Sequence, residues 1–93
     1  MSPLNLRHNP PEHRFEMEVD GHLSVVEYAP RDHTVVFTHT FVPPELRGRG
    51  IAEKLVRAAL AHAGEAGWRI VPACSYVAAY IGRHPEFKPL LAE

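Results

Sequence analysis

The chain has 93 residues, 45% hydrophobic and 23% charged, with ten Lys/Arg set against eleven Asp/Glu. That length suits a single domain with one core, and the −1 formal charge excludes the basic balance of a general nucleic-acid binder. Cys74 is the only cysteine, so an internal disulfide is excluded, and no apolar run has the length of a signal-peptide core or a membrane span. The expectation is a cytoplasmic protein with no membrane partner.

Residues 1–13 hold three prolines and few periodic apolar positions, which reads as a flexible N-terminal arm before a single domain over 14–93. From Arg14 the chain alternates, with Phe15, Met17 and Val19 on one strand face and Glu16 and Glu18 on the other. Asp20-Gly21 signals a tight hairpin, Leu23 to Tyr28 is the return strand, and Pro30 to His33 is a second turn. Thr34 to Val42 reads as the longest strand, with Val35, Phe37, His39 and Phe41 sharing one face. Pro43-Pro44 ends it, since proline cannot donate to a ladder. The period then changes: Ile51, Leu55, Val56, Ala59, Leu60 and Ala63 follow helical spacing toward the stop signals Gly64 and Gly67. Trp68 to Ala73 reads as a short strand, and Ser75 to Arg83 as a helix capped by the Ser75 hydroxyl and ended by Pro85. The fold class is mixed α+β: an antiparallel meander, a parallel strand-helix-strand unit and a C-terminal helix.

Arg47-Gly48-Arg49-Gly50 stands where a strand has ended and a helix is about to begin. The first turn of a helix has amides without partners and a partly positive end, which suits phosphate. Glycine permits the positive φ of an anion nest and keeps Cβ atoms away from the ligand, while arginines add charge and paired donors. A Walker loop is excluded because no Gly-Lys-Ser/Thr follows, and Glu53 occupies the place of the third small residue of a dinucleotide fingerprint. An Arg-Gly segment that binds RNA would be longer and lack a periodic helix after it. On spacing alone, a glycine-rich helix entry with solvated arginines fits equally well.

Arg47-x-x-Gly50-x-Ala52 resembles the pyrophosphate motif of the GNAT acetyltransferases. His39 to Gly50, the alanine-rich helix, Val71 to Val77 and Tyr80-Ile81 extend the likeness to the small single-domain subgroup called YjdJ-like, over about residues 14–88. The resemblance implies a minimal GNAT fold and acetyl-coenzyme A as cosubstrate. It places Phe41 and Val42 against pantetheine through their backbones. The pyrophosphate falls at Arg47, Gly48 and the amides of Arg49, Gly50, Ile51 and Ala52. Ser75 opens the last helix, and Tyr76, Tyr80 and Arg83 give that helix one face toward the coenzyme; core packing suits the two tyrosines equally. A backbone N–H near Val42 is placed to polarise the thioester carbonyl.

The sequence departs from the family at the tyrosine that commonly protonates the leaving thiolate, because that position falls on Gly82, with Tyr80 two residues away. Cys74, entering the last helix, suits three roles: proton donor, transient acetyl acceptor, or a small packed hydrophobe. His39 suits a general base or a buried structural histidine. Lys54, Arg57, Arg83 and Lys88 are candidates for the coenzyme's 3′-phosphate, or solvated surface charges. No metal is expected: His-Glu-x-x-His is absent, and His33 and His39 would stand about 20 Å apart along a strand. Two functions follow. One is an acetyl-coenzyme A-dependent N-acetyltransferase acting on an amine of a small molecule or protein. The other is a non-catalytic coenzyme A-binding module serving as a sensor or partner protein.

Overall fold

The computed structural model describes residues 5–92. Alternating apolar residues form β2 (Arg14–Val19), and Asp20 and Gly21, both with positive φ (52° and 76°), turn it into β3 (His22–Arg31). A second two-residue turn leads into β4 (Thr34–Phe41). Helix α1 (Ile51–Ala66) crosses back to β5 (Arg69–Pro72), which pairs with β4 in parallel. Helix α2 (Ser75–Arg83) follows, then a 3-10 segment, Pro85–Leu90.

The flexible arm expected over residues 1–13 is corrected over its described part, residues 1–4 lying outside the described residues. Asn5–Asn9 form β1, antiparallel to β2, so the sheet runs β1-β2-β3-β4-β5, antiparallel except at its last pair. Its partners are what the local pattern hides: Leu6 packs against the core and His8 lies on Phe15 with ring centroids 4.2 Å apart. The other face of β1 helps enclose a charge. Glu16 is only 1% exposed although it lies on the sheet face opposite the helices. Arg14 Nε reaches its carboxylate at 2.6 Å, Arg7 at 2.8 Å and Asn9 donates at 2.9 Å. Burial pushes the Glu16 carboxyl up, but these donors outweigh it and hold its pKa below the ordinary value.

Both helices pack on one face of the sheet. The α1 residues expected from the period, Ile51, Leu55, Val56, Ala59, Leu60 and Ala63, are all buried. They meet Phe15, Met17, Val26, Tyr28, Val35, Phe37 and Ile70 from the strands and Val77, Tyr80 and Ile81 from α2. α1 stops in a Schellman motif: Gly67 takes φ 74°, its N–H donates to Gly64, and Trp68 N–H donates to Ala63 at 2.9 Å. The C-terminal segment returns to β5, where Ala92 N–H donates to Ile70 and the Arg69 guanidinium holds the carbonyls of Pro89 and Leu91.

A second correction concerns β4. Its partners on β3 shift from Glu27↔His39 to Tyr28↔Phe37, which leaves Thr38 as an extra residue in a β-bulge. One extra residue reverses a period of two. Val35 and Phe37 face the helices, but His39 and Phe41 turn to the opposite face and are exposed, while Thr40 and Val42 turn inward. The shared face expected for Val35, Phe37, His39 and Phe41 is therefore split.

Two outcomes are expected. Phe37→Ala, at a fully buried ring, should cost about 3–5 kcal/mol by urea denaturation. The Glu16 carboxylate contributes stability above the ordinary carboxylate pKa, and that contribution is lost as pH falls through its depressed native value. Glu16→Gln should lower the urea midpoint at pH 7 and flatten the loss of stability on acidification; an unchanged acid limb would refute the assignment.

Candidate functional site

After β4 the chain makes a 3-10 turn, Pro44–Leu46, whose Leu46 plugs the core at 1% exposure. Arg47 then bonds back, its Nε donating to the Val42 carbonyl at 3.0 Å, which ties the loop to the end of β4. Gly48 (φ 85°) and Gly50 (φ 75°) are both left-handed, and Gly50 is the N-cap of α1. The Lys54 N–H is the one that returns to the Gly50 carbonyl, at 3.2 Å, and no side chain caps the helix. The amides of Ile51, Ala52 and Glu53 are thus left without helical partners at the positive end of a 16-residue helix. A Cβ at Gly48 or Gly50 would meet nothing within 4 Å, so conformation rather than crowding demands glycine, and the space before the amides is open. That space is a cavity of about 230 Å³ bordered by Val42, Leu46, Arg47, Gly48, Gly50, Ile51, Ala52, Glu53 and Tyr76. Its free amides, open front and flanking arginine fit a phosphate-bearing ligand.

Beside it the sheet splits. Pairing of β4 with β5 ends at Phe37↔Pro72, closed by the Cys74 N–H donating to the Phe37 carbonyl at 2.8 Å. β4 continues to Phe41 along β3, so Thr38 to Phe41 have no β5 partner and a gap opens between the strands. Thr40 and Cys74 face each other in that gap, Oγ1 to Sγ, at 3.4 Å. Cys74, not Ser75, is the N-cap of α2, and no side-chain cap bond forms there. The expected Ser75 cap is corrected because the helix begins one residue earlier than that role requires, which makes Ser75 its first helical residue. Burial pushes the Cys74 thiol up, but the Thr40 hydroxyl and the amides of Val77, Tyr76 and Thr40 outweigh it and lower its pKa.

The structure brings Val42, Arg47, Gly48, Gly50, Ile51, Ala52 and Tyr76 to one cavity and sets Cys74 next to the gap. Other candidates stand apart. Arg49 turns its guanidinium to Asp20 at 3.1 Å, at the β2–β3 turn, which leaves its backbone at the loop. Phe41 turns its ring to the helix-free face, 42% exposed, and His39 lies exposed on the same face. Ser75 and Arg83 are exposed away from the cavity lining. Tyr80 is fully buried, stacked on His84 with centroids 4.1 Å apart and under the Arg57 guanidinium, 5.9 Å from its ring centre. Its hydroxyl has no hydrogen-bond partner, and burial raises its pKa, with Arg57 opposing. Of the expected stripe, Tyr76 borders the cavity, Tyr80 takes the core-packing alternative, and Arg83 is exposed outside the lining. Thr40, Glu53 and Leu46 are contributors that pattern reading misses: the bulge reverses Thr40, and Leu46 lies in no periodic element.

The sequence model of the GCN5-related N-acetyl-transferases matches residues 14–90, which spans β2 through the C-terminal segment and includes the anion loop. The chain belongs to this family. It is also similar to Protein NATD1 of Xenopus tropicalis, 30% identical over 88 residues that cover 90% of this chain and 80% of that protein. Protein NATD1 of Mus musculus is 30% identical over 87 residues, covering 89% and 78%. In three dimensions the chain is similar to a GCN5-like protein from Staphylococcus aureus solved by NMR, with a TM-score of 0.75 and 26% identity over 99% of this chain and 91% of that one. Family and fold together support acetyl transfer as its chemistry, and GNAT acetyltransferases use acetyl-coenzyme A.

The Thr40–Cys74 contact makes a direct expectation. Alkylation of Cys74 by iodoacetamide should rise with pH around a midpoint below that of an ordinary thiol. Thr40→Val should move that midpoint upward, and an unmoved midpoint would show that the hydroxyl does not stabilise the thiolate.

Proposed function

We propose that this chain is an acetyl-coenzyme A-dependent N-acetyltransferase of the small single-domain YjdJ-like kind, transferring acetyl directly to an amine of a small molecule or a protein. The observation that carries the reading is the anion cavity at the start of α1, bordered by Val42 at the end of β4 and by Tyr76 in the first turn of α2, next in sequence to the residues that flank the gap between β4 and β5. One end offers uncapped helix amides to a pyrophosphate; the other offers an unpaired strand edge and a thiol to the reacting end of the same extended molecule.

Acetyl-coenzyme A supplies an activated thioester when bound. The chain's part is to orient it and to manage charge and protons. Gly48 and Gly50 hold the loop so that the amides of Ile51 and Ala52 point into the cavity, and Arg47 braces it through the Val42 carbonyl. The free edge of β4 at Phe41 and Val42 supplies backbone groups for pantetheine. An N–H there is placed to stabilise the thioester oxygen as the amine attacks. Cys74, with Thr40 of β4 as its hydrogen-bond partner, is a titratable group at the gap and serves as proton donor to the leaving thiolate. His39, across the sheet on the helix-free face, is the candidate to accept the amine proton.

A second reading, a coenzyme A-binding module without catalysis, is favoured by one observation. Gly82 occupies the position of the usual tyrosine acid, and Tyr80 is enclosed in the core. Calorimetric titration with acetyl-coenzyme A, followed by thiol release over an amine and peptide panel, separates the two. Binding with release supports the enzyme; binding without release supports the module; no binding overturns both.

Gly50→Glu should abolish coenzyme binding, because it adds a negative charge at the cavity and places a side chain at a left-handed position. Glu53→Gln should tighten it severalfold by removing a carboxylate from the cavity rim. Cys74→Ser should reduce turnover while leaving the calorimetric Kd unchanged. A hydroxylamine-labile acetyl adduct on the wild-type protein, seen by intact mass, would replace direct transfer with a covalent route.

A further inference from the structure

At the end of the sheet away from the anion loop lies a second, larger cavity of about 560 Å³, within the roughly 300–1,000 Å³ of small-molecule sites. Its wall on the strand side is Tyr28, and the link from α1 to β5 sets Trp68 against it, ring centroids 5.3 Å apart at 55°. His13 stands 5.7 Å from Tyr28, and His8 stands 5.9 Å from Trp68 at 72°. At these distances the rings touch one another, so together they form one aromatic wall of the cavity.

The charges of this cavity are uneven. His8 is stacked on Phe15, hydrogen-bonded to the Tyr28 hydroxyl, and flanked by His62. Burial, then the neighbouring His62, lower its pKa, so it enters the wall as a neutral ring. Arg69 also borders the cavity and keeps its positive charge, the only fixed cation among the described lining residues against the Asp32 carboxylate, but its guanidinium is held at the carbonyls of Pro89 and Leu91. His33 stands on the exposed rim beside Asp32, whose carboxylate has no salt bridge among the described residues. Three non-glycine described residues have left-handed backbones, and two of them, His13 (φ 54°) and Asp32 (φ 51°), border this cavity. Asp32 takes this backbone in the β3–β4 turn, as Asp20 does in the β2–β3 turn, and His13 takes it where the 3-10 turn Pro10–Glu12 ends, so turn geometry sets both at the cavity rim.

We propose that this cavity binds an organic cation, a quaternary or alkylated ammonium headgroup, seated against the aromatic wall formed by Trp68 and the exposed part of Tyr28, with Asp32 as its counter-charge. The faces of aromatic rings carry negative potential, and aromatic-lined sites hold quaternary ammonium ligands. The site is separate from acetyl transfer. It meets β4 at Thr34 and Val35, whereas the anion cavity meets Val42, about 23 Å further along an extended strand. The proposal therefore stands whether or not the chain is a catalyst.

Trp68 is the only tryptophan in the chain, so its emission reads this cavity directly. Titration of the full chain with choline should give a saturable change in Trp68 fluorescence. Its uncharged carbon isostere dimethylbutanol should bind roughly tenfold more weakly, the size of a cation–π and counter-charge contribution. Asp32→Asn, which keeps a residue tolerant of the left-handed turn, should weaken choline about fivefold and leave the isostere unchanged. His13→Gly relieves the positive φ while removing part of the wall, so it should weaken choline binding without lowering the urea midpoint. A peptide carrying trimethyl-lysine tells a chain-borne headgroup, which would bind more tightly than choline, from a free small molecule, which would not. Equal binding of choline and its isostere would overturn the proposal. So would the absence of any saturable change, or displacement of choline by propanesulfonate at lower concentration than by further choline.

Discussion

Strand β4 has to satisfy two incompatible demands, and the way it does so organises the molecule. Up to Phe37 it is an ordinary central strand, paired with β3 on one edge and β5 on the other. Beyond that point one edge must be released if anything is to lie between β4 and β5. The extra residue at Thr38 absorbs the change, its hydroxyl donating to the Glu27 carbonyl at 3.3 Å where the ladder is disturbed. The Cys74 N–H seals the last paired position by taking the Phe37 carbonyl. Phe37 itself, fully buried beneath the bulge, fixes this geometry to the core. An unpaired strand edge in the middle of a sheet is costly unless water or a ligand meets it.

The same strand sets up the charged end of the site. Because β4 leads directly into the loop, the first turn of α1 and Val42 at the end of β4 border one cavity. The two arginines divide the work between them. Arg47 ties the loop to Val42, whereas Arg49 reaches across to Asp20 and anchors it to the β2–β3 turn. Neither bond is buried, so their value lies in restricting a loop that contains two left-handed glycines rather than in salt-bridge energy. A loop held from two sides has less disorder to lose when a ligand arrives.

The helix-free face shows a different solution to the same problem of coverage. With α1 and α2 both on one side, the opposite face must be closed by its own side chains. Arg7, Arg14 and Asn9 converge on Glu16 there, joining β1 to β2 through charge-assisted bonds rather than apolar packing. On the helical side, β1 contributes Leu6 and His8 to the core margin, so the first strand is held from both faces.

Local sequence determined much of this protein because its signals act over a turn or less. The period of α1, the stop at Gly67, the Asp20-Gly21 hairpin and the glycine-rich helix entry each follow from neighbouring residues alone. The anion loop was legible for that reason: unpartnered amides at a helix start are a consequence of helix geometry. Tertiary structure decided what depends on partners distant in sequence. β1 is a strand only because β2 and Trp68, His62 and Phe15 receive it, which no pattern within residues 5–9 reveals. The bulge at Thr38 is a mismatch between two strands, invisible in either, yet it alone turns His39 outward and Thr40 toward Cys74. Tyr80 looked available on a helical wheel; only the packing of α2 against α1 placed its ring inside the core.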